Sequence, residues 1–337
     1  MEARGRGVAG PGKLPPVTPP PPTLMLLDAA SMYFRAYYGV PESITAPDGT
    51  PVNAIRGFTD MVARLVSERK PTRLVACLDL DWRPRFRVEA LPSYKAHRIA
   101  GGEPDTAPYG VPEEVPDTLA PQVPILLEVL AAAGIAVAGA KGYEADDVIG
   151  TLAARERTDA VSVVSGDRDL MQVVREEPTP VRLIYVGRGL AKAETMGPAE
   201  VAAKYGVPVD RAGEAYAEMA MLRGDPSDGL PGVPGVGAKT AATLVSRFSS
   251  WHELRDAVID TDDKRLTPPV RAKLAAAAPY LAVVEPVVRV ARDAQVDFFG
   301  DDDVLPAEPV DPDRLTELAS TWGLAGSVDR LVAALKR

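Results

Sequence analysis

Cysteine and histidine are scarce in this chain of 337 residues, which has one Cys and two His. The lone Cys77 can form no internal disulfide, and its place in an apolar run predicts a small buried residue of a strand. The lack of clustered thiols and imidazoles argues against a zinc site built from them. No apolar run is long enough to span a bilayer, and the start lacks the apolar core of a secretory signal. We therefore expect a soluble cytoplasmic protein.

Basic residues are outnumbered as well: Lys and Arg total 38 against 47 Asp and Glu, so the formal net charge is −9. Taken alone, this excess of negative charge speaks against nucleic-acid binding. The inference weakens if many acids gather at a metal site, because they would then mask basic patches in the sum. The length allows one large domain or two.

Strand and helix patterns alternate from residue 23 onward. Predicted strands cover 23–28, 73–79, 135–138, 161–165 and 181–186, and predicted helices cover 53–68, 118–133 and 144–156, with a helical turn over 167–174. This alternation predicts βαβ units and an α/β fold with a mainly parallel sheet. Strand patterns end near residue 198, and amphipathic stretches over 211–223, 238–248 and 270–278 predict a second, helical region.

Two segments break this rhythm. Residues 1–22 are rich in Pro and Gly and cannot bury enough apolar area to fold, so we predict a disordered tail. Residues 82–124 form a long insertion that is basic at first and then rich in Pro. Insertions of this length are usually functional or disordered.

Acidic residues fall where predicted strands end and helices begin: Asp28, Asp79, Glu144, Asp146, Asp147, Asp167 and Asp169. Because parallel strands end along one crevice, we expect these carboxylates to converge. Each like-charged pair about 4 Å apart costs roughly 4 kcal/mol, against about 5–15 kcal/mol for the stability of a whole domain. Such a cluster therefore needs cations.

Divalent metal ions would offset the repulsion. Oxygen-only ligands suit Mg2+ or Mn2+, and pairs of such ions suit in-line attack on phosphodiesters. The structural alternatives are helix capping at Glu144 to Asp147, an N-cap with a solvated neighbour at Asp167 and Asp169, and Asp as an ordinary strand end. Taken jointly, the positions favour the metal site. Asp81 stays an alternative to Asp79.

Two further acids, Asp225 and Asp228, precede a glycine-rich run that contains Gly232, Gly235, Gly237, Lys239 and Thr240. The run nearly matches a Walker A loop, but Ala238 displaces Lys239 by one place and no strand precedes it. A tight hairpin between two helices, which grips phosphate through backbone N–H groups and the next helix N-terminus, fits better. A plain turn between helices is the alternative.

The basic segment just after Asp79 contains Arg87, Tyr94, Lys95 and Arg98. Its place beside the crevice, with aromatic residues interleaved for base stacking, favours a nucleic-acid backbone as ligand. Lys95 and Arg98, three apart on a predicted helix, could clamp one phosphate. A solvated basic surface is the alternative.

Together these motifs resemble the bacterial 5′ nuclease family: flap endonucleases and the 5′–3′ exonuclease domains attached to many bacterial DNA polymerases I. The matching runs appear in the family's order and are Leu27-Asp28, Cys77 to Asp79 with Phe86-Arg87, Tyr94 to Arg98, Gly142 to Gly150, Ser165 to Asp169 and Gly224 to Ala241. The resemblance implies a PIN-like nuclease core with a helix-three-turn-helix domain. It also implies cleavage of DNA at 5′ flap junctions and from 5′ ends, in lagging-strand maturation and repair.

The resemblance assigns roles as well. Two or three divalent ions, Mg2+ or Mn2+, would be held by Asp28, Asp79, Glu144, Asp146, Asp147, Asp167, Asp169, Asp225 and, as an outer member, Asp228. Lys95 and Arg98 would be catalytic. DNA would contact Arg35, Arg87, Tyr94, Gly232, Gly235, Gly237, Lys239 and Thr240, and hairpin carbonyls could bind K+. The implied segments are a nuclease core over 23–195, an arch over a threaded 5′ strand at 102–117, a duplex-binding domain over 196–290 and a C-terminal segment over 291–337 that packs back on the core.

Gly229 departs from the family pattern, which commonly has Asn there, but no carboxylate is lost. No polymerase sequence follows, so we expect a free-standing, monomeric nuclease near the nucleoid, with replication or repair proteins as partners. A PIN-type ribonuclease is the first rival hypothesis, although it has no need of a duplex-gripping hairpin. A DNA-binding protein without catalysis is the second, although so many clustered acids would weaken its affinity for DNA.

Overall fold

The computed structural model describes residues 22–99, 113–300 and 302–336. Nearly all of the predicted tail and most of the predicted arch lie outside these residues. The strands are β1 (Thr23–Asp28), β2 (Arg73–Leu78), β3 (Ala136–Gly139), β4 (Ala160–Ser165), β5 (Val181–Tyr185), β6 (Glu194–Met196) and β7 (Asp297–Phe299). The first five match the predicted strands to within one or two residues.

The helices fall into three groups along the chain. The first group is α1 (Ala29–Gly39), α2 (Asn53–Arg69), α3 (Arg85–Ala90), α4 (Gln122–Ala133) and α5 (Ala145–Arg155). The second is α6 (Pro198–Tyr205), α7 (Ala212–Arg223), α8 (Ala238–Arg247), α9 (Trp251–Ile259), α10 (Pro268–Ala276), α11 (Ala278–Val283) and α12 (Glu285–Val288). The last is α13 (Pro312–Thr321) and α14 (Ala325–Leu335). None of these helices is long and apolar enough to cross a membrane.

All seven strands form one sheet in the order β6-β5-β4-β1-β2-β3-β7, with β6 and β7 antiparallel at its edges. The α/β fold with a mainly parallel sheet is therefore confirmed. The chain builds outward from β1 through β2 to β3 and, on the other side, from β4 to β5, so the direction of winding reverses between β1 and β4. Such a reversal opens a crevice at the carboxyl ends of the strands.

Alternate residues of β1 enter two apolar layers. Leu24 and Leu26 join the layer that holds α5 and α7, whereas Met25 and Leu27 join the layer that holds α2, α4 and α14. A strand buried on both faces explains the uninterrupted apolar sequence of β1. The buried strand therefore fixes the position of Asp28, its last residue, at the crevice.

The C-terminal part of the chain returns to the sheet. β7 pairs with β3, and α14 packs against α2. Arg73, at the start of β2, donates to Glu156, Asp159 and Asp303, with nitrogen to oxygen distances of 2.5, 3.0 and 2.7 Å. The sequence patterns predicted no strand beyond residue 198, and this was wrong for β7, because its three exposed residues have no apolar alternation.

Candidate active site

A pocket of about 890 Å3 opens at the carboxyl ends of the strands. Its acidic lining residues are Asp28, Asp79, Glu113, Glu144, Asp146 and Asp167, and its basic ones are Arg35, Lys95, Arg98 and Arg168. The crevice thus brings together five of the nine predicted metal ligands and three of the predicted substrate contacts. The other predicted ligands, Asp147, Asp169, Asp225 and Asp228, are not among its lining residues.

Asp28 is fixed at the centre of the sheet. It caps α1 by accepting from Ser31 N at 3.0 Å, and its second oxygen accepts from Ser165 Oγ at 2.5 Å. Asp167, on the neighbouring strand end, donates its N–H to the same Ser165 hydroxyl at 2.8 Å. One serine at the end of β4 therefore ties two of the pocket acids to each other.

Asp79 follows β2 and lies next to the start of α5, whose first turn carries Asp146. Asp79 Oδ1 accepts from Ala145 N at 2.6 Å, which joins the end of β2 to the start of α5. Asp81 points elsewhere: its Oδ1 accepts from Arg83 N at 3.2 Å, and it does not line the pocket. The geometry therefore favours Asp79 over Asp81 as the pocket acid.

Besides Glu113 of the insertion, four acids have raised pKa values and no cation bonded to them within the described part of the chain. We call Asp28, Asp79, Asp146 and Asp169 the unpaired acids. Burial, and then the charge of Asp79, raise the pKa of Asp28 to about 7. Burial is also the main cause of the raised pKa values of Asp79, Asp146 and Asp169, followed by Glu144, Asp28 and Asp167 respectively. These side chains are held charged only at a cost in free energy.

Glu144 and Asp147 are paired with a buried arginine. Arg87, only 2% exposed, donates to Asp147 through two nitrogens at 2.7 and 2.8 Å and to Glu144 at 2.8 Å. Asp147 also accepts from Ala291 N at 2.8 Å. Burial alone would raise the pKa of Glu144, but Lys95 and Arg87 outweigh it and hold that pKa below its ordinary value.

This pairing bears on three of the residues predicted for the site. Arg87 is buried and bonds two carboxylates of the fold, so its side chain is not accessible to DNA in this structure. Asp147 is fully buried, and its oxygens bond Arg87 and backbone N–H groups, which argues against a metal role. Tyr94 is 3% exposed and donates its hydroxyl to Glu144 at 2.8 Å, so it cannot stack on a base in this position.

Asp225 and Asp228 each pair with an arginine that lines the pocket. Arg168 Nη2 lies 2.5 Å from Asp225 Oδ2, and Arg98 Nη2 lies 3.2 Å from Asp228 Oδ1. Burial raises the pKa of Asp225, but its bonds to Ser227 and Arg168 reverse the effect and lower it. Asp225 therefore joins Glu144 and Asp147 as an arginine-paired acid.

Lys95 and Arg98 form the cationic wall, but not on an α-helix as predicted. Lys95 has φ of +48°, in the left-handed region, and a short 3-10 helix over Ala96–Arg98 follows it. Lys95 Nζ lies 2.6 Å from Glu144 Oε1. This left-handed turn directs the ammonium into the pocket, where two of its three protons remain for other acceptors.

Arg35 lines the same pocket as Lys95, and its guanidinium lies beside the end of β4. Its Nη1 donates to Gly187 O at 2.8 Å, and its guanidinium covers Gly166 so closely that a Cβ there would meet Nη2. Its buried Nε has no hydrogen-bond partner among the described residues.

The donor chemistry of the pocket fits divalent cations. Among the residues that the structure describes, no three candidate ligands already converge on one ion position. The unpaired acids nevertheless supply only hard oxygen ligands, and Asp169 Oδ1 is buried without a hydrogen-bond partner. Asp28, Asp79, Asp146 and Asp167 would hold ions in the pocket, with Asp169 beside them.

The predicted glycine hairpin joins α7 to α8. Gly232 and Gly235 have φ of +66° and +73°, and a Cβ on Gly232 would lie 2.5 Å from Arg223 O. Gly237 is the N-cap of α8 and, having no side chain, provides no cap for the N–H groups there. Lys239 is exposed in the first turn, and Thr240 follows it.

Sequence reasoning missed Glu113 and gave Arg168 no role. Glu113 lines the pocket because the two sides of the insertion meet in a bridge between Ile99 and Glu113. Its Pro-rich surroundings gave no sign of this meeting. Arg168 lies between Asp167 and Asp169, so its neighbours were a usable signal. Aromatic residues also line the pocket: Phe34, Tyr38, Trp82 and Tyr185.

Comparison with known proteins agrees with this architecture. Residues 23–206 match the family model described as 5'-3' exonuclease, N-terminal resolvase-like domain, and residues 212–313 match 5'-3' exonuclease, C-terminal SAM fold. The chain belongs to the 5′–3′ exonuclease family. A 5'-3' exonuclease of Mycobacterium tuberculosis is 58% identical over 93% of this chain and 97% of its own length. A 5'-3' exonuclease of Streptomyces coelicolor is 52% identical over 92% of this chain and 99% of its own length.

Solved structures with a similar fold are also known. A flap endonuclease of bacteriophage T5, in a pseudo-enzyme-product complex with DNA and metal ions, aligns with a TM-score of 0.59. The alignment covers 94% of this chain and 100% of the phage chain, at 15% identity. At that identity the likeness concerns the fold, and it is consistent with a nuclease core joined to a helical domain.

Proposed function

We propose that this 5′–3′ exonuclease hydrolyses DNA phosphodiesters at junctions between a 5′ flap and a duplex, and from 5′ ends, with the help of Mg2+ or Mn2+. The observation that carries the proposal is the pocket itself, where unpaired carboxylates on the strand ends face Lys95 and Arg98 on the insertion. Carboxylates without a bonded cation suit metal ions, and cations that line the same pocket suit phosphate. The full-length relatives named 5'-3' exonuclease support the same reaction class.

Each wall has its own task in this proposal. Bound divalent ions supply the activation of water and the stabilisation of charge on the attacking and leaving oxygens. The carboxylates of Asp28, Asp79, Asp146 and Asp167 orient those ions. Lys95 and Arg98 draw the scissile phosphate toward the acids and stabilise charge that develops on its oxygens. Arg35 would contact the substrate at the rim.

The hairpin between α7 and α8 would hold the duplex part of the substrate through backbone N–H groups and Lys239. A monovalent cation such as K+ at its carbonyls is part of the proposal. Lys273 Nζ already lies 2.9 Å from Gly235 O, so a K+ ion would share or displace that contact. We further propose a monomer that acts in lagging-strand maturation and repair beside the nucleoid.

Cleavage of a 5′-labelled DNA flap with a one-nucleotide 3′ overhang tests the proposal. The substrate is incubated with Mg2+, Mn2+ or EDTA, and the products are sized. Metal-dependent cuts within about a nucleotide of the junction support the proposal. Binding without cutting in either metal contradicts it and favours a non-catalytic DNA-binding protein. Faster cutting of a matched RNA flap contradicts the DNA assignment and favours a ribonuclease.

A further inference from the structure

Arg168 is a cation of the pocket that has no task in the reaction proposed above. Its side chain is 46% exposed and lines the pocket. It bonds Asp225 through a single nitrogen, with 2.5 Å between Nη2 and Oδ2. A guanidinium pairs most strongly with a carboxylate or a phosphate when two of its nitrogens donate in parallel. The bond to Asp225 therefore uses only part of what Arg168 can offer an anion.

Asp225 cannot lose this bond without a replacement, because its side chain is buried, at 2% exposure. Its Oδ1 accepts from Ser227 N at 2.9 Å and from the Ser227 hydroxyl, whereas Oδ2 is the oxygen that Arg168 bonds. A buried carboxylate that is left without a cation is costly. Any movement of Arg168 into the pocket therefore requires a second cation at Asp225 Oδ2.

Arg223, the last residue of α7, is in the position to be that second cation. Its Nη2 lies 3.8 Å from Asp225 Oδ2, which is too far for a hydrogen bond. The same Nη2 is buried and has no hydrogen-bond partner among the described residues. Buried donors without a partner are rare in folded proteins. A shift of about 1 Å would give this donor a normal bond to the oxygen that Arg168 now uses.

The other contact of the Arg223 guanidinium is weak. Its Nε donates to Gly224 O at 3.3 Å, just beyond the usual range for an N–H···O bond. A long bond at the end of a helix gives way to a small shift of the side chain. The move of Arg223 toward Asp225 thus satisfies a buried donor and gives up little.

We propose that Arg168 leaves Asp225 to bind a phosphate of the substrate strand in the pocket, while Arg223 takes over the Asp225 carboxylate. This inference rests on the proposed function, because it requires a DNA strand in the pocket. A phosphate presents two oxygens to the guanidinium in place of the one that Asp225 presents, and Asp225 keeps a cation throughout. Arg168 is then a substrate contact, and Arg223 is the positioning residue that releases it.

Single-turnover cleavage of a 5′ flap in Mg2+, at a series of enzyme and salt concentrations, tests the contact. Arg168→Ala should raise the enzyme concentration for half-maximal rate about fivefold at low salt. It should also flatten the dependence of log affinity on log salt by about 0.7 to 0.9, the effect of one phosphate contact. Arg168→Lys keeps the charge and should recover part of both losses. The matched control is Arg330→Ala on α14, an arginine 53% exposed and paired with Asp60, which should behave as the wild type does.

Arg223→Met tests the exchange itself. Without the second cation, Arg168 stays on Asp225, so the affinity for the flap should fall about as far as in Arg168→Ala. The double variant should bind no more weakly than Arg168→Ala, because both changes remove the same contact, whereas independent roles would give additive losses and overturn the exchange. Without DNA, Arg168→Ala should melt close to the wild type, because Arg223 then pairs with Asp225, and the double variant should melt lower. Arg223→Gln replaces Arg223→Met if circular dichroism shows loss of fold.

The outcomes separate the arginine exchange from the reaction. If the wild type cuts the flap and Arg168→Ala has the affinity and salt dependence of Arg330→Ala, the exchange is overturned and the nuclease proposal stands. A lower Mg2+ requirement in that Arg168→Ala protein would identify Arg168 as a competitor of ions at Asp225 instead. If the wild type cuts nothing in Mg2+ or Mn2+, the nuclease proposal falls, and binding of the same flap in EDTA decides the exchange. Weaker binding by Arg168→Ala than by Arg330→Ala would then support the contact, and equal binding would overturn it.

Discussion

Two groups of carboxylates, in the crevice and next to it, differ in what neutralises them. The unpaired acids, represented by Asp28 and Asp146, have raised pKa values and no bonded cation. The arginine-paired acids, represented by Asp147 and Asp225, each bond a guanidinium supplied by the chain. The comparison teaches that a dense acidic motif contains two kinds of carboxylate. One kind is neutralised by an arginine of the same chain, and the other needs a cation from a ligand.

Asp146 and Asp147 make the contrast sharpest, because they are neighbours in the first turn of α5. Successive helix residues point about 100° apart. Asp146 faces the pocket, while Asp147 faces Arg87 and closes the capping box with Glu144. Helix capping, the structural alternative for this motif, therefore applies to Asp147 and fails for Asp146.

Asp146→Asn should produce the largest change in activity. Loss of one carboxylate weakens the hold on ions that contribute several kcal/mol to transition-state stabilisation, and each 1.36 kcal/mol is about tenfold in rate. We expect flap cleavage to fall by about a thousandfold or more, measured in single turnover with Mg2+. The melting temperature should stay the same or rise, because a carboxylate whose charge is disfavoured by desolvation and by Asp28 is removed. Wild-type activity in this variant would show that Asp146 orients no ion.

Asp147→Asn should instead damage the fold. The change leaves Arg87 buried with Glu144 as its remaining carboxylate partner. Removal of one partner of a buried ion pair costs about 3–5 kcal/mol. We expect the free energy of unfolding, from urea titration, to fall by that amount. If Asp147→Asn keeps its stability but loses cleavage, this account is contradicted, because Asp147 would then be an ion ligand.

The contrast also shows how far the sequence could be interpreted. Strand ends are local features, and the apolar runs before Asp28 and Asp79 predicted both the sheet and the crevice. The bond between Arg87 and Asp147 joins residues 60 apart in the chain, and no local pattern indicates it. The left-handed turn at Lys95 was equally hidden, because a non-glycine residue with positive φ depends on the surrounding packing. Local sequence patterns thus predicted where the site lies. Contacts between residues far apart in the chain decide which of its acids are paired with arginine.

Lys95→Ala should reduce cleavage less than Asp146→Asn does. Loss of one charge-stabilising donor typically costs about a hundredfold to a thousandfold in rate. We expect this loss in single-turnover cleavage, with little change in stability because Glu144 keeps Arg87 and Tyr94 as partners. Lys95→Arg keeps the charge and should recover part of the rate. Equal loss in Lys95→Ala and Lys95→Arg would contradict a role based on charge alone. It would indicate that the size and position of the Lys95 ammonium matter.

The smallest effect concerns pH and stability, and it separates the two groups of acids without any substrate. The pKa of Asp28 is raised from 3.8 to about 7 in the folded state, so its proton favours folding. That contribution is complete below pH 3.8 and is lost as pH rises through about 7. In EDTA, the melting temperature of the wild type should therefore fall across this interval relative to Asp28→Asn, which can keep the contacts with Ser31 and Ser165.

Mg2+ should reverse the fall near pH 7, because an ion that binds only the folded state stabilises it by mass action. Differential scanning calorimetry of both proteins, with and without Mg2+, measures the effect. Glu156, whose pKa is lowered to about 2, acts in the opposite direction at lower pH and is common to both proteins, so its contribution cancels in the difference between them. Parallel pH profiles for the two proteins, unchanged by Mg2+, would mean that Asp28 is neutralised within the fold as Asp147 is.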